Sequence, residues 1–198
     1  MVGGDTGRRL CYTEKQIAMT ASGRVFTIGH GAHTRAALLE ELARAQVQYV
    51  VDVRSAPYSR HQPEFSKESL ERFLSENGVG YVFMGDLLGG RPKDDDCYTD
   101  GKVDYTKVRA KGFFRRGIAR LLNAYRQGLN VCLLCSEGRP SDCHRAKLVG
   151  AALADEGIEV LHLLPDGTRR SQEEVIVELT DGQRSLLAEH FVSRRTYR

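Results

Sequence analysis

A chain of 198 residues, 41% hydrophobic and 28% charged, suits one ordinary domain with enough apolar mass to bury a core unaided by disulfides or metals. No apolar run approaches the roughly 20 residues that a membrane-spanning helix needs. The formal net charge of +3 is too mild to argue for a polyanion partner on its own, although arginines gather at Arg8-Arg9, Arg169-Arg170 and in the terminal "SRRTYR".

The N-terminal stretch carries arginines but no apolar segment of the kind a secretory signal requires, so a cytoplasmic location is expected. Five cysteines, an odd number unevenly spaced, fit reduced thiols better than a disulfide framework.

From Arg24 the chain alternates β-branched runs with amphipathic ones. "RVFTIGH" predicts a strand, and "TRAALLEELARAQ" a helix capped by Thr34. "VQYVVDVR" predicts a buried strand, and "SKESLERFLSENG" a helix ending at Gly78. "VGYVFMG" is the third strand, leading into a long, glycine-rich, charged loop from Asp86 to Tyr105. "GFFRRGIARLLNAYRQG", "NVCLLC", "DCHRAKLVGAALADEG" and "IEVLHLL" then predict helix, strand, helix and strand. A helical stretch interrupted at Asp181-Gly182 closes the chain. The repeated alternation predicts a three-layer α/β domain, a mostly parallel sheet flanked by helices. Residues 1–23 and 169–198 are expected to be extensions, the second helical and arginine-rich.

In such sheets ligands collect beyond the carboxyl ends of the strands. Those ends carry His30, Asp52 with Arg54, Asp86, Cys135 with Glu137, and His162. Asp52 and Arg54 share strand parity and hence one face. They are read either as an ion pair locking a loop or as a carboxylate and cation facing a ligand. Tyr58, Arg60 and His61 follow on the next loop.

The stretch "LLCSEGRPSDCHRAKLVGAAL" passes from strand through a Gly-Pro loop into a helix. Cys132 and Cys135 are spaced C-x-x-C, but three residues along a strand reverse the face, which argues against a shared metal or a disulfide. Cys143 and His144 are adjacent, a poor arrangement for one ion, and no second cysteine pair completes a zinc site; no metal and no cofactor are expected. A strand ending in Cys135 before a loop and a helix does resemble the layout of cysteine phosphatases and rhodaneses, where a helix N-terminus and an arginine lower a thiol's pKa. The loop is longer than theirs, and Glu137 stands where an oxyanion would sit. Arg145 at a helix start calls for a negative partner, which Glu137, Asp142 or an external phosphate could supply.

Taken together, "TIGHG", "DVRSAPYSR" followed by Phe65, "LLGGRP", "KVDY", "LLCSE", "DCHR" and "EVLHLLPDG" resemble, in order and over about residues 24–168, the family called domain of unknown function 488. Gly31 stands where that family usually has serine, and "SEGRPSD" departs from its usual loop. The resemblance implies an α/β fold in a bacterial or archaeal intracellular protein, with a pocket of His30, Asp52, Arg54, Cys135, Glu137, His144 and Arg145. It implies no reaction.

Residue chemistry leads to three expectations. The first is an enzyme acting on a nucleotide or nucleic acid, such as a hydrolase of glycosidic bonds of the kind used in DNA repair. In it Asp52, Glu137, His30 and Cys135 would be catalytic, and Arg54, Tyr58, Arg60, Arg91, Cys143, His144 and Arg145 would hold substrate. Tyr81, Phe83 and Tyr98 are candidate stacking rings, and Arg139 a further cation. The second is a thiol-dependent or sulfur-handling protein using Cys135 or Cys143. The third is a non-catalytic nucleic-acid-binding module.

Overall fold

The computed structural model describes residues 22–180 and 191–197. Arg8, Arg9 and the Asp181-Gly182 interruption lie outside the described residues, as does nearly all of the expected N-terminal extension. Six strands form one mixed sheet in the order β3-β2-β6-β1-β7-β8. The first five of these are mutually parallel: β1 (Val25–Gly29), β2 (Tyr49–Asp52), β3 (Gly80–Phe83), β6 (Val131–Cys135) and β7 (Val160–Leu163). The segment expected as an extension begins by entering the sheet, since β8 (Arg169–Ser171) pairs antiparallel with β7.

The alternation along β6 shows why two helical layers are needed. Cys132 and Leu134 pack on one face with Phe26, Ile28, Val50 and the apolar stripes of α1 (Arg35–Arg44) and α2 (Lys67–Glu76). Val131, Leu133 and Cys135 pack on the other, against α3 (Gly85–Leu88), α4 (Tyr105–Ala110), α5 (Gly112–Arg126) and α6 (Ala151–Asp155). Cys132 and Cys135 therefore face opposite layers, as strand parity requires. Thr34 caps α1, accepting from Ala37 N. Ser66 stands at the start of α2, but its hydroxyl accepts from Ser59 N instead, stitching the preceding loop.

The region Asp86 to Tyr105, expected as one long loop, holds most of α3 and a two-stranded hairpin, β4 (Tyr98–Thr99) with β5 (Lys102–Val103). Asp104 caps α4 through the amides of Thr106 and Lys107. These elements are too short to show a hydrophobic period, and packing rather than propensity makes them. Residues 191–197 run beside the hairpin: Ser193 Oγ accepts from Val103 N, and Tyr197 N donates to Gly101 O. α7 (Gln172–Leu179) starts with a reciprocal capping box between Ser171 and Glu174. No helix among the described residues is long and apolar enough to cross a membrane.

Candidate functional site

Two polar groups stand side by side at the carboxyl ends of β2 and β6, which are neighbours in the sheet. The first is built on Asp52. Its carboxylate, fully buried, accepts from Arg54 Nε at 2.9 and 3.1 Å, from Arg54 Nη2 at 2.5 Å and from the Tyr81 hydroxyl at 2.7 Å. Arg54 Nη1 donates to Phe65 O at 2.9 Å and to His30 Nε2 at 3.2 Å. His30 completes the chain through Nδ1, which donates to Gln62 Oε1, and its ring stacks on Phe65 at 4.6 Å. Burial and then the Arg54 charge lower the His30 pKa, keeping the imidazole neutral. Burial pushes the Tyr81 phenol well up, and the Asp52 charge adds to it. Asp52 and Arg54 are thus saturated by each other and by their neighbours.

The second group is built on sulfur. Cys135 ends β6, Cys143 follows a short 3-10 turn (Pro140–Asp142), and His144 opens a π-helical turn (Arg145–Gly150) that runs into α6. Cys143 is extended (φ −115°, ψ 146°) and His144 helical (φ −62°, ψ −21°). That change of conformation between neighbours lets both side chains turn to the same point. His144 Nδ1 stands 3.7 Å from Cys135 Sγ and 3.7 Å from Cys143 Sγ. The adjacency that argued against joint ligation from the sequence is overcome here, and the three donor atoms all lie within 4.8 Å of one another. His144 Nε2 donates to Val53 O at 3.0 Å, which fixes the ring and leaves Nδ1 toward the sulfurs. The loop "LLGGRP" closes over this ring: a Cβ on Gly90 would lie 2.7 Å from it.

Arg145 is fully buried. Its Nη1 and Nη2 donate to the backbone carbonyls of Glu137 and Gly138, and its Nε has no partner among the described residues. The carboxylates of Glu137 and Asp142, the two candidate partners that the sequence offered beside an external phosphate, face Arg194 instead, each at 3.5 Å. Among the described residues no carboxylate neutralises Arg145. Such a buried charge is costly, and it favours anionic sulfur beside it. The hydrogen bond from Cys143 holds the Cys135 thiol well below the ordinary range against opposing burial, with His144 and Arg145 acting the same way. Burial pushes Cys143 up. Burial opposes protonation of His144, and the Cys135 charge overcomes it, raising the imidazole's pKa.

A small cavity of about 50 Å³ opens beside the sulfurs, lined among others by Tyr105, Glu137, Cys143, His144 and Arg194. Cys143 and His144 line the cavity, whereas Cys135 does not. Several residues named from the sequence lie outside this cluster. Tyr58 is 72% exposed on its loop with Arg60. Arg91 anchors by its amide to Ser55 Oγ and lays its guanidinium over Tyr197 at 4.6 Å. Arg194 was not expected at the site: it lies 57 residues (194 − 137) from Glu137 in sequence, and only the fold brings them together.

These features define a class: a parallel α/β domain with a dithiol and an imidazole at the carboxyl edge of its sheet. The sequence matches the family described as Domain of unknown function DUF488 over residues 34–152, more than half of the chain, and the protein belongs to that family. No curated protein and no solved structure gives a significant match.

Proposed function

We propose that the protein is thiol-dependent, with its chemistry at Cys135 and Cys143. The observation that carries this reading is that both sulfurs share one imidazole nitrogen at 3.7 Å, next to a buried arginine that no carboxylate neutralises among the described residues. Cys135 is the anionic sulfur, held by Cys143, His144 and Arg145. Cys143 belongs to the lining of the cavity, whose volume of about 50 Å³ suits the reacting end of a small molecule. Glycosidic hydrolysis fits the geometry less well, because every oxygen of Asp52 is taken up by Arg54 and Tyr81 and Glu137 is paired with Arg194.

The test is alkylation of the reduced protein by iodoacetamide, followed by peptide mass mapping. Cys135 and Cys143 react faster than Cys97 and Cys132, and Cys143→Ala slows Cys135. Equal rates at all four buried thiols refute the proposal.

One observation favours a nucleic-acid partner as a second reading: Tyr58, 72% exposed, shares its loop with Arg60 and His61, an arrangement suited to stacking a base beside a phosphate contact. Binding to a labelled single strand, weakened by salt and by Tyr58→Ala, tests it. Affinity unchanged in Tyr58→Ala counts against it.

A further inference from the structure

We propose that Cys135 Sγ, Cys143 Sγ and His144 Nδ1 form a three-ligand site for Zn²⁺, with the fourth position open to the adjacent cavity. The inference deepens the thiol reading and rests on this cluster being the working site of the molecule.

Distance is the first argument. With metal–sulfur bonds of about 2.3 Å and metal–nitrogen bonds of about 2.0 Å at tetrahedral angles, a sulfur and a nitrogen on one Zn²⁺ stand about 3.5 Å apart. Both sulfur–nitrogen distances here are 3.7 Å, so these two edges of the coordination figure exist already and the ion needs little movement.

The ring is also held as a ligand should be. A metal-bound histidine characteristically gives its other N–H to a carbonyl or carboxylate, which fixes both tautomer and orientation. His144 Nε2 does so to Val53 O at 3.0 Å. Gly90 backs the ring on a side where a Cβ would intrude. The Arg145 amide donates to Cys143 Sγ at 3.5 Å, the kind of support a thiolate ligand requires.

Charge is the third argument. Zn²⁺ with two thiolates is neutral, so a nearly fully buried site avoids most of the desolvation cost of a bare ion. Three protein ligands of Cys₂His type with one open side match a working rather than a purely structural zinc site. The open side is set by the lining of the cavity, which includes Cys143 and His144. A π-helical turn beginning at the next residue is itself a feature concentrated at functional sites.

The experiment titrates the full-length, reduced, anaerobic protein with Co²⁺ alone. One Co²⁺ binds per chain, giving thiolate-to-cobalt charge transfer and the intense visible bands of tetrahedral cobalt, and Zn²⁺ displaces it. Cys143→Ala, Cys135→Ser and His144→Gln each weaken binding at least about tenfold, whereas Cys97→Ser leaves the titration unchanged. A folded wild-type protein with no charge-transfer band, or a band that survives Cys143→Ala, overturns the site. If the variants lose their folded circular dichroism, X-ray absorption on zinc-loaded wild type decides: two sulfurs and one nitrogen support the site, and oxygen or nitrogen alone overturns it. Alkylation of the metal-free protein separates this inference from the thiol reading. Selective labelling of Cys135 and Cys143 without cobalt bands removes the metal and keeps thiol chemistry. Cobalt bands with unselective labelling keep the metal and remove thiol chemistry.

Discussion

The two polar groups at the carboxyl edge of the sheet lie on neighbouring strands and are built from similarly buried residues, yet they end in opposite states. Around Asp52 the ionic and aromatic partners satisfy one another, and nothing is left over for a ligand. Around Cys135 a buried guanidinium has no carboxylate and its Nε no partner among the described residues, and two sulfurs compete for one ring nitrogen. Polar residues converging on a sheet edge therefore do not by themselves identify a site. The distinguishing feature is whether the group is complete without a guest.

Breaking the complete group should have the largest effect. Asp52→Asn or Arg54→Ala strands one member of a buried pair and is expected to cost about 3–5 kcal/mol, measured as a lowered denaturation midpoint with an unchanged denaturant slope.

A third buried network sharpens the contrast. Thr27 Oγ1 donates to His162 Nδ1 at 2.7 Å, and His162 Nε2 donates to Gln172 Oε1 at 2.9 Å. Burial chiefly, with Arg145 and Arg170 adding, holds His162 down at about 4 despite its bond to Gln172. The unfolded chain takes up this proton near the usual 6.5 and the folded chain only near 4. Stability is therefore complete above that window and falls as pH drops through it, by about 3 kcal/mol. Denaturation at stepped pH should show this slope in the wild type and lose it in His162→Gln.

Between the two groups in expected effect stands Gly29. A Cβ there would overlap the Glu137 carbonyl, so Gly29→Ala should cost about 1–3 kcal/mol and, by moving the loop that holds Arg145, slow alkylation of Cys135. The smallest effect on stability belongs to the incomplete group: Cys143→Ala should cost only about 1 kcal/mol while removing most of the selective thiol reactivity. A larger loss from Cys143→Ala than from Asp52→Asn would reverse the comparison.

Much of this architecture was readable from residue patterns. The five parallel strands follow from short apolar and β-branched runs, as strands covered on both faces require, and the helices α1, α2 and α5 from a 3.6-residue period over runs long enough to show it. The elements α3, α4 and the hairpin escaped because each is shorter than one such period repeated. At the site, strand parity put Asp52 and Arg54 on one face but left open whether they pair or face a ligand; the structure pairs them. The partners of Arg145 could not be read, since backbone carbonyls leave no trace in composition, and a carboxylate nearby in sequence is no guide to where its side chain points. The convergence of Cys143 and His144 depends on one pair of backbone angles, and the approach of Arg194 on a segment that returns from the far end of the chain.

The π-helical turn from Arg145 to Gly150 sets the rotational phase of the residues ahead of it. A wide turn holds one residue more than an α-helix allows, and here it runs directly into α6. Deleting one residue between Lys147 and Gly150 would restore a regular helix and swing everything ahead of it by about 100° around the axis. His144 and Arg145 would leave the sulfur of β6, while Leu153 kept its place in the core. A chain carrying that deletion would keep the scaffold of this protein and lose the approach of His144 to both sulfurs.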